Sequence, residues 1–137
     1  MRYNILIDAL HSHQEAHNEL SSWGNPAISV ITFAEIYAGA SSRETLKIKK
    51  FMDHFGFEVI HTDDLIMMLA TSLRRASVHN RRKIALPDAI IMATAQARRL
   101  LVITRNKKDF KGPNVRVPYE LETVTTTRVV NVRPLPT

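Results

Sequence analysis

The chain alternates short apolar runs with longer segments in which apolar residues recur at helical spacing. Apolar runs at residues 27–31, 57–60 and 100–104 have the length and composition of buried strands. The first two runs are followed by segments with helical periodicity, and a further predicted helix begins at Leu86 and leads into the third run. Strands that alternate with helices are typical of a parallel sheet with helices on both faces. The predicted fold class is therefore α/β, a three-layer α/β/α sandwich with a parallel sheet.

The composition narrows the classes of protein to which the chain can belong. Its 137 residues are enough for one ordinary domain, which we expect at residues 1–121, with residues 122–137 forming a C-terminal tail, an edge strand or an arm. The sequence has no cysteine, no long apolar run and no signal-peptide pattern, so we expect a cytoplasmic protein without a membrane partner. The formal net charge of +6 favours a polyanionic partner such as nucleic acid.

Three acidic residues lie near the ends of the predicted strands. Glu35 follows the run at residues 27–31, Asp88 opens the helix that leads into the run at residues 100–104, and Asp109 follows that run. Because sites in parallel sheets form beyond the carboxyl ends of the strands, we expect these carboxylates to converge. Converging carboxylates are ligands for Mg²⁺ or Mn²⁺, and such a metal ion can activate water for attack on a phosphodiester.

Each acid also has a purely structural interpretation. Thr32 and Glu35 have the spacing of a capping box, in which the glutamate bonds back to the amide of the first residue. Asp88 is suited to the positive end of a helix dipole, and Asn106 with Asp109 repeats the spacing of a cap. Capping does not require three helices to converge on one crevice, so the three acids together favour a site.

Three stretches of the chain resemble the motifs of PIN-domain ribonucleases. They are ISVITFAEIYAG at residues 28–39, LPDAIIMATA at residues 86–95 and LVITRNKKDF at residues 101–110. Their order and spacing are similar to those of the VapC toxins of type II toxin–antitoxin modules. The resemblance covers residues 4–121, and the combination of the three motifs is more specific than any one of them.

The resemblance implies a Mg²⁺- or Mn²⁺-dependent endoribonuclease with a PIN-like three-layer fold. It implies that Glu35, Asp88 and Asp109 are catalytic metal ligands and that the hydroxyl of Thr104 assists beside the metal. The implied partners are an RNA substrate, a cognate VapB-like antitoxin and a second copy of the chain in a homodimer. The RNA target and the identity of the antitoxin do not follow from these motifs.

The resemblance also implies a fourth acid at the end of a first central strand. In the gapless alignment this acid falls at Arg2, the first strand is truncated, and Asp8 belongs to the first helix. In a second register, residues 3–7 fill the strand and Asp8 becomes the fourth metal ligand. A third explanation is a start upstream of Met1. If the first acid is missing, the alternative function is a catalytically impaired PIN-like domain that binds RNA or an antitoxin.

Basic residues flank the predicted acids and are candidates for contact with RNA phosphates, which positions a nucleic acid without reading its sequence. The alternative is a solvated loop. A third class of function, a phosphate-binding α/β domain without nuclease activity, is disfavoured because the chain has no glycine-rich phosphate loop. The candidate RNA-binding residues are Arg81, Arg82, Lys83, Arg105 and Lys107.

Overall fold

The structure of the protein is a computed structural model. The residues that it describes are 14–22, 24–104, 110, 115–117, 119–123 and 127–135. Within them the helices are α1 (Gln14–Ser22), α2 (Val30–Ala38), α3 (Ser42–Phe55), α4 (Asp64–His79) and α5 (Leu86–Arg98). The strands are β1 (Ala27–Ser29), β2 (Glu58–Ile60), β3 (Val102–Ile103), β4 (Val115–Arg116), β5 (Glu120–Thr123) and β6 (Thr127–Val130).

The first four strands form two parallel pairs. Strand β1 lies beside β2, with Ile28 opposite Val59, and β3 lies beside β4, with Val102 opposite Val115. Strands β5 and β6 form an antiparallel hairpin. The prediction of parallel strands is confirmed, although among the described residues they form separate pairs instead of one continuous sheet.

Strand β1 has helices on both of its faces. Ile28 packs in a buried cluster with Ile36 of α2 and Ile48 of α3. Its neighbour Ala27 points to the opposite face, as successive strand residues do, and packs in a different cluster with Ala70 of α4 and with residues of α5. The alternation places α3 and α4 on opposite sides of this strand pair.

Strand β3 repeats the arrangement. Val102 packs against Ile91 of α5, whereas Ile103 packs against Leu20 of α1 and the buried ring of Tyr119. Helix α5 therefore covers one face of both parallel pairs, and α1 and α3 cover the other face. This arrangement confirms the predicted three-layer α/β class.

The first strand run is shorter than predicted because a serine ends it. We expected a strand over residues 27–31 with a helix from Thr32, but α2 begins at Val30. The hydroxyl of Ser29 accepts a hydrogen bond from the amide of Ile31 at 3.1 Å and caps the helix.

The third run is also shorter than predicted. Arg99 adopts a left-handed conformation at the end of α5, and the amide of Leu100 bonds back to the carbonyl of Ala95 at 2.8 Å. This helix-terminal bond holds Leu100 outside the strand, so β3 begins only at Val102.

The C-terminal region is a hairpin followed by an extended segment. Strand β5 spans residues 120–123, on both sides of the position where we expected the domain to end, and pairs with β6. The segment after β6 returns to β4, where the side chain of Arg116 donates a hydrogen bond to the carbonyl of Pro134 at 2.8 Å. Among the described residues, no helix is long and apolar enough to cross a membrane.

Candidate active site

Asp88 lies in the first turn of α5, where it is half-buried. The N-cap residue of this helix is Ala85, which forms no side-chain cap hydrogen bond. Helices α2, α3 and α4 differ, because each is capped by a side chain, from Ser29, Ser41 and Asp63 respectively. The N-terminus of α5 is positively polarised, so it favours the carboxylate of Asp88 without the usual capping side chain.

Glu35 lies on α2, on the exposed part of the helix. One turn earlier on α2, Ile31 packs against the clusters that contain Ile90 and Ile91 of α5. The contact makes α2 and α5 neighbours, and it places Glu35 and Asp88 on adjacent helices that start at the same region of the sandwich.

The capping-box interpretation of Glu35 is wrong. It required Thr32 to be the N-cap residue, but Ser29 has that position, so Glu35 lies in the second turn of the helix. The hydroxyl oxygen of Thr32 is buried and has no hydrogen-bond partner within the described part of the chain. Such an atom favours a nearby water or polar ligand, because an unsatisfied buried hydroxyl costs about 1–3 kcal/mol.

Thr104 follows directly after β3 and is fully buried. Its amide donates a hydrogen bond of 3.0 Å to the carbonyl of Arg116, which continues the pairing of β3 with β4 by one residue. Thr104 therefore lies at the carboxyl end of this strand. Phe110, six residues later, is 1% exposed and packs in the cluster of Val102.

Several predicted site residues lie outside the described residues. They are Asp8, Arg105, Lys107 and Asp109. The same holds for Arg2 and for the choice between the two N-terminal registers. Of the predicted catalytic residues, Glu35, Asp88 and Thr104 lie within the described part of the chain.

The described donors fit a hard divalent cation by their chemistry. Glu35 and Asp88 supply carboxylate oxygens and Thr104 a hydroxyl oxygen, the donor types that Mg²⁺ and Mn²⁺ prefer. Two carboxylates alone do not make a full ligand set. Within the described ranges, no group of three or more His, Cys, Asp or Glu side chains is arranged to hold a metal ion.

The predicted cationic residues Arg81, Arg82 and Lys83 lie between α4 and α5, and all three are exposed. They precede Asp88 by only a few residues. Arg81 adopts a left-handed conformation with φ of 58°, which turns the chain sharply after the end of α4. We call residues 81–83 the cationic loop.

Sequence reasoning missed a buried ion pair that supports Thr104. The Nε atom of Arg116 lies 2.5 Å from a carboxylate oxygen of Glu19, whose side chain is 1% exposed. Because the carbonyl of Arg116 binds the amide of Thr104, the pair connects α1 to the strand end at the candidate site. The two residues are 97 positions apart, and no local pattern signals the contact.

One ionisable group near Glu35 has a shifted pKa. Partial burial raises the pKa of Tyr37 above its ordinary value, and the negative charge of Asp53 on α3 raises it further. Tyr37 therefore remains a neutral hydroxyl at physiological pH.

Comparison with known proteins identifies the family. The family model of the PIN domain matches residues 4–113, most of the chain. The chain belongs to the PIN domain family, and the resemblance stated from its motifs is confirmed. A comparison with curated protein sequences gave no significant match.

Two solved structures are similar over most of their length. A chain of a toxin–antitoxin complex from Klebsiella pneumoniae is 38% identical, with a TM-score of 0.72, and the match covers 87% of this chain and 96% of that one. A chain of VapBC2 from Rickettsia felis, bound to a DNA fragment from its promoter, is 26% identical, with a TM-score of 0.71 and coverage of 83% and 92%. Within the PIN domain family, the chain is therefore similar to chains of toxin–antitoxin complexes, VapBC2 among them.

Proposed function

We propose that the protein is a metal-dependent endoribonuclease and the toxin of a type II toxin–antitoxin pair. The observation that carries the proposal is the packing of α5 against α2, with Asp88 in an uncapped first helical turn and Glu35 on the neighbouring helix. Its similarity to chains from two toxin–antitoxin complexes supports an antitoxin partner. A cytoplasmic location and a homodimer belong to the same proposal.

The proposed roles follow from the side chains. Glu35 and Asp88 would hold a Mg²⁺ or Mn²⁺ ion together with Asp109, with Asp8 as the fourth acid if the second register holds. A bound ion of this kind lowers the pKa of water and stabilises negative charge on a phosphodiester. Thr104, fixed through its backbone to β4, would offer its hydroxyl at the edge of the site. The RNA contacts are proposed for the cationic loop, with Arg105 and Lys107.

The proposal is tested by cleavage of RNA with and without added Mg²⁺. Asp88→Asn keeps the shape of the side chain and removes its charge. We expect a loss of cleavage of about a hundredfold or more, because even the loss of a residue that only orients a metal ligand costs about 10- to 100-fold. Asp64→Asn is the matched control, because Asp64 also lies in the first turn of a helix and is exposed. Cleavage that persists in Asp88→Asn would contradict the site assignment.

The alternative is an impaired PIN-like domain that retains only binding. It has a specific sequence basis, the arginine that occupies the position of the first acid in the gapless register. The two functions differ in one measurement. RNA binding without cleavage, in the presence of either metal, favours the binding module, whereas metal-dependent cleavage that Asp88→Asn abolishes favours the enzyme.

A further inference from the structure

Two side chains of α4 hold one residue of the segment that leads into α5. The guanidinium of Arg74 donates a hydrogen bond to the carbonyl of Ile84. The hydroxyl of Ser77 accepts a hydrogen bond from the amide of Ile84 at 3.0 Å and donates one to the carbonyl of Arg74 at 2.7 Å. Both backbone groups of Ile84 are therefore bound to residues one helical turn apart.

Further bonds close the other end of the segment. The carbonyl of Ser77 accepts a hydrogen bond from the amide of Arg82 at 2.9 Å, and the carbonyl of Val78 accepts one from Arg81 at 3.2 Å. Ile84 itself packs against the buried cluster shared by α4, α5 and β1. The cationic loop therefore lies between two fixed points, the end of α4 and Ile84.

The hydroxyl of Ser77 is built into this arrangement. Ser77 is 6% exposed, so its hydroxyl is buried. A buried hydroxyl needs a hydrogen-bond partner within the protein, and here that partner is the backbone of Ile84. Arg74 is half-buried and binds a backbone carbonyl, unlike the exposed cations of the loop. The five residues from Ile84 to Asp88 include the start of α5, so fixing Ile84 also fixes the entry to the helix that carries Asp88.

We propose that Arg74 and Ser77 are positioning residues that order the cationic loop for contact with a polyanionic backbone beside Asp88. The inference rests on the proposed function in one respect, that the polyanion is RNA. An ordered loop binds more tightly than a loose one, because less conformational entropy is lost on binding. The loop cations themselves contact phosphate, whereas Arg74 and Ser77 act through the backbone of residues 81–84.

The salt dependence of RNA binding separates these two roles. The probe is a labelled single-stranded RNA oligonucleotide in EDTA, which prevents metal-dependent cleavage, titrated at several KCl concentrations. Loss of a phosphate contact lowers the slope of log K against log salt concentration by about one. Loss of loop order lowers the affinity and leaves the number of phosphate contacts, and hence the slope, unchanged.

We expect Ser77→Ala to lower RNA affinity about threefold to tenfold with an unchanged slope, the scale of ordering about one long side chain. The substitution changes no charge, so electrostatics do not account for the loss. Ser77→Thr keeps the hydroxyl and should restore binding. Arg82→Met should lower the slope by about one.

Arg74→Met and Arg75→Met form a matched pair, because both remove one positive charge from the same helix. Only Arg74 binds Ile84, so Arg74→Met should weaken binding as Ser77→Ala does, and Arg75→Met should stay within about twofold of the unaltered protein. Equal effects of the two substitutions would overturn the inference. If Ser77→Ala fails to fold, the RNA affinity of Arg74→Met tests the inference in its place.

Amide hydrogen exchange tests the positioning without RNA. Ser77→Ala should increase the exchange of the amides of Arg82 and Ile84, and Arg75→Met should not. If the unaltered protein binds no RNA at any salt concentration, the proposed function fails, but exchange still decides whether the two side chains order the loop. Unchanged exchange in Ser77→Ala and Arg74→Met overturns the positioning role.

Discussion

Two glutamate–arginine ion pairs have nearly the same chemistry and opposite surroundings. Glu19 and Arg116 join α1 to β4, with side chains that are 1% and 18% exposed. Glu58 and Arg98 join β2 to the last turn of α5, with side chains that are 57% and 46% exposed. The first pair is largely withdrawn from water, whereas the second remains hydrated, and this difference decides what each pair contributes.

A side chain of the buried pair also binds a further segment of the chain. Arg116 binds the carboxylate of Glu19, the carbonyl of Pro134 in the C-terminal segment and, through its own carbonyl, the amide of Thr104. Among the described contacts, the side chains of the exposed pair hydrogen-bond only to each other, although the amide of Glu58 donates a hydrogen bond to the carbonyl of Pro26 at 2.9 Å. A pair that supports the site is therefore distinguished by its burial and by its other side-chain contacts, and not by its residue types.

The largest effect is expected from Glu19→Ala. Removing the carboxylate leaves the mostly buried guanidinium of Arg116 without its charge partner, which costs about 3 kcal/mol of unfolding free energy. Urea denaturation followed by circular dichroism measures the change. A loss below about 1 kcal/mol would mean that the pair behaves like an exposed one.

The double variant Glu19→Leu with Arg116→Met should recover most of that loss. Replacing both members of a buried pair with apolar side chains of similar volume is commonly neutral or stabilising, so we expect an unfolding free energy within about 1 kcal/mol of the original. The backbone bond from Thr104 to residue 116 does not need the guanidinium. If the double variant is as unstable as Glu19→Ala, the cost lies in packing instead of in an unpaired charge.

A smaller effect is expected from removing the segment after Val130. The truncation deletes the carbonyl of Pro134, and water replaces it as the acceptor for the partly exposed guanidinium of Arg116. We expect a loss of about 1 kcal/mol, the net value of a hydrogen bond that water can replace. In a Glu19→Leu, Arg116→Met background the same truncation should cost less, because the donor is already absent.

The features that could be predicted from the sequence are those determined by neighbouring residues in the chain. The start of α5 at Leu86 and the position of Asp88 in its first turn follow from a proline and an acid next to an apolar helical pattern. The cap at Ser29 was missed although it is local, because a serine inside an apolar run looks like part of a strand. The first strand was overestimated for this reason, and the third because the bond that ends α5 holds Leu100 outside the strand.

The supports of the candidate site were not predictable from local patterns. Glu19 and Arg116 meet only after the three layers have assembled, and Ser77 reaches Ile84 only because the chain turns back after α4. Such contacts depend on tertiary packing, which neither periodicity nor composition encodes. Family motifs therefore indicate the acids Glu35 and Asp88, whereas the residues that position their surroundings require the three-dimensional structure.

The smallest effect is expected from Glu58→Gln at the exposed pair. Both side chains remain hydrated after the substitution, so the unfolding free energy should fall by less than about 0.5 kcal/mol. Added salt should reduce even this difference, because it screens exposed charges. Urea denaturation at low and high NaCl concentrations measures both effects. A salt-insensitive loss of more than about 1 kcal/mol would show that exposure does not separate the two pairs, since only a pair withdrawn from solvent resists screening.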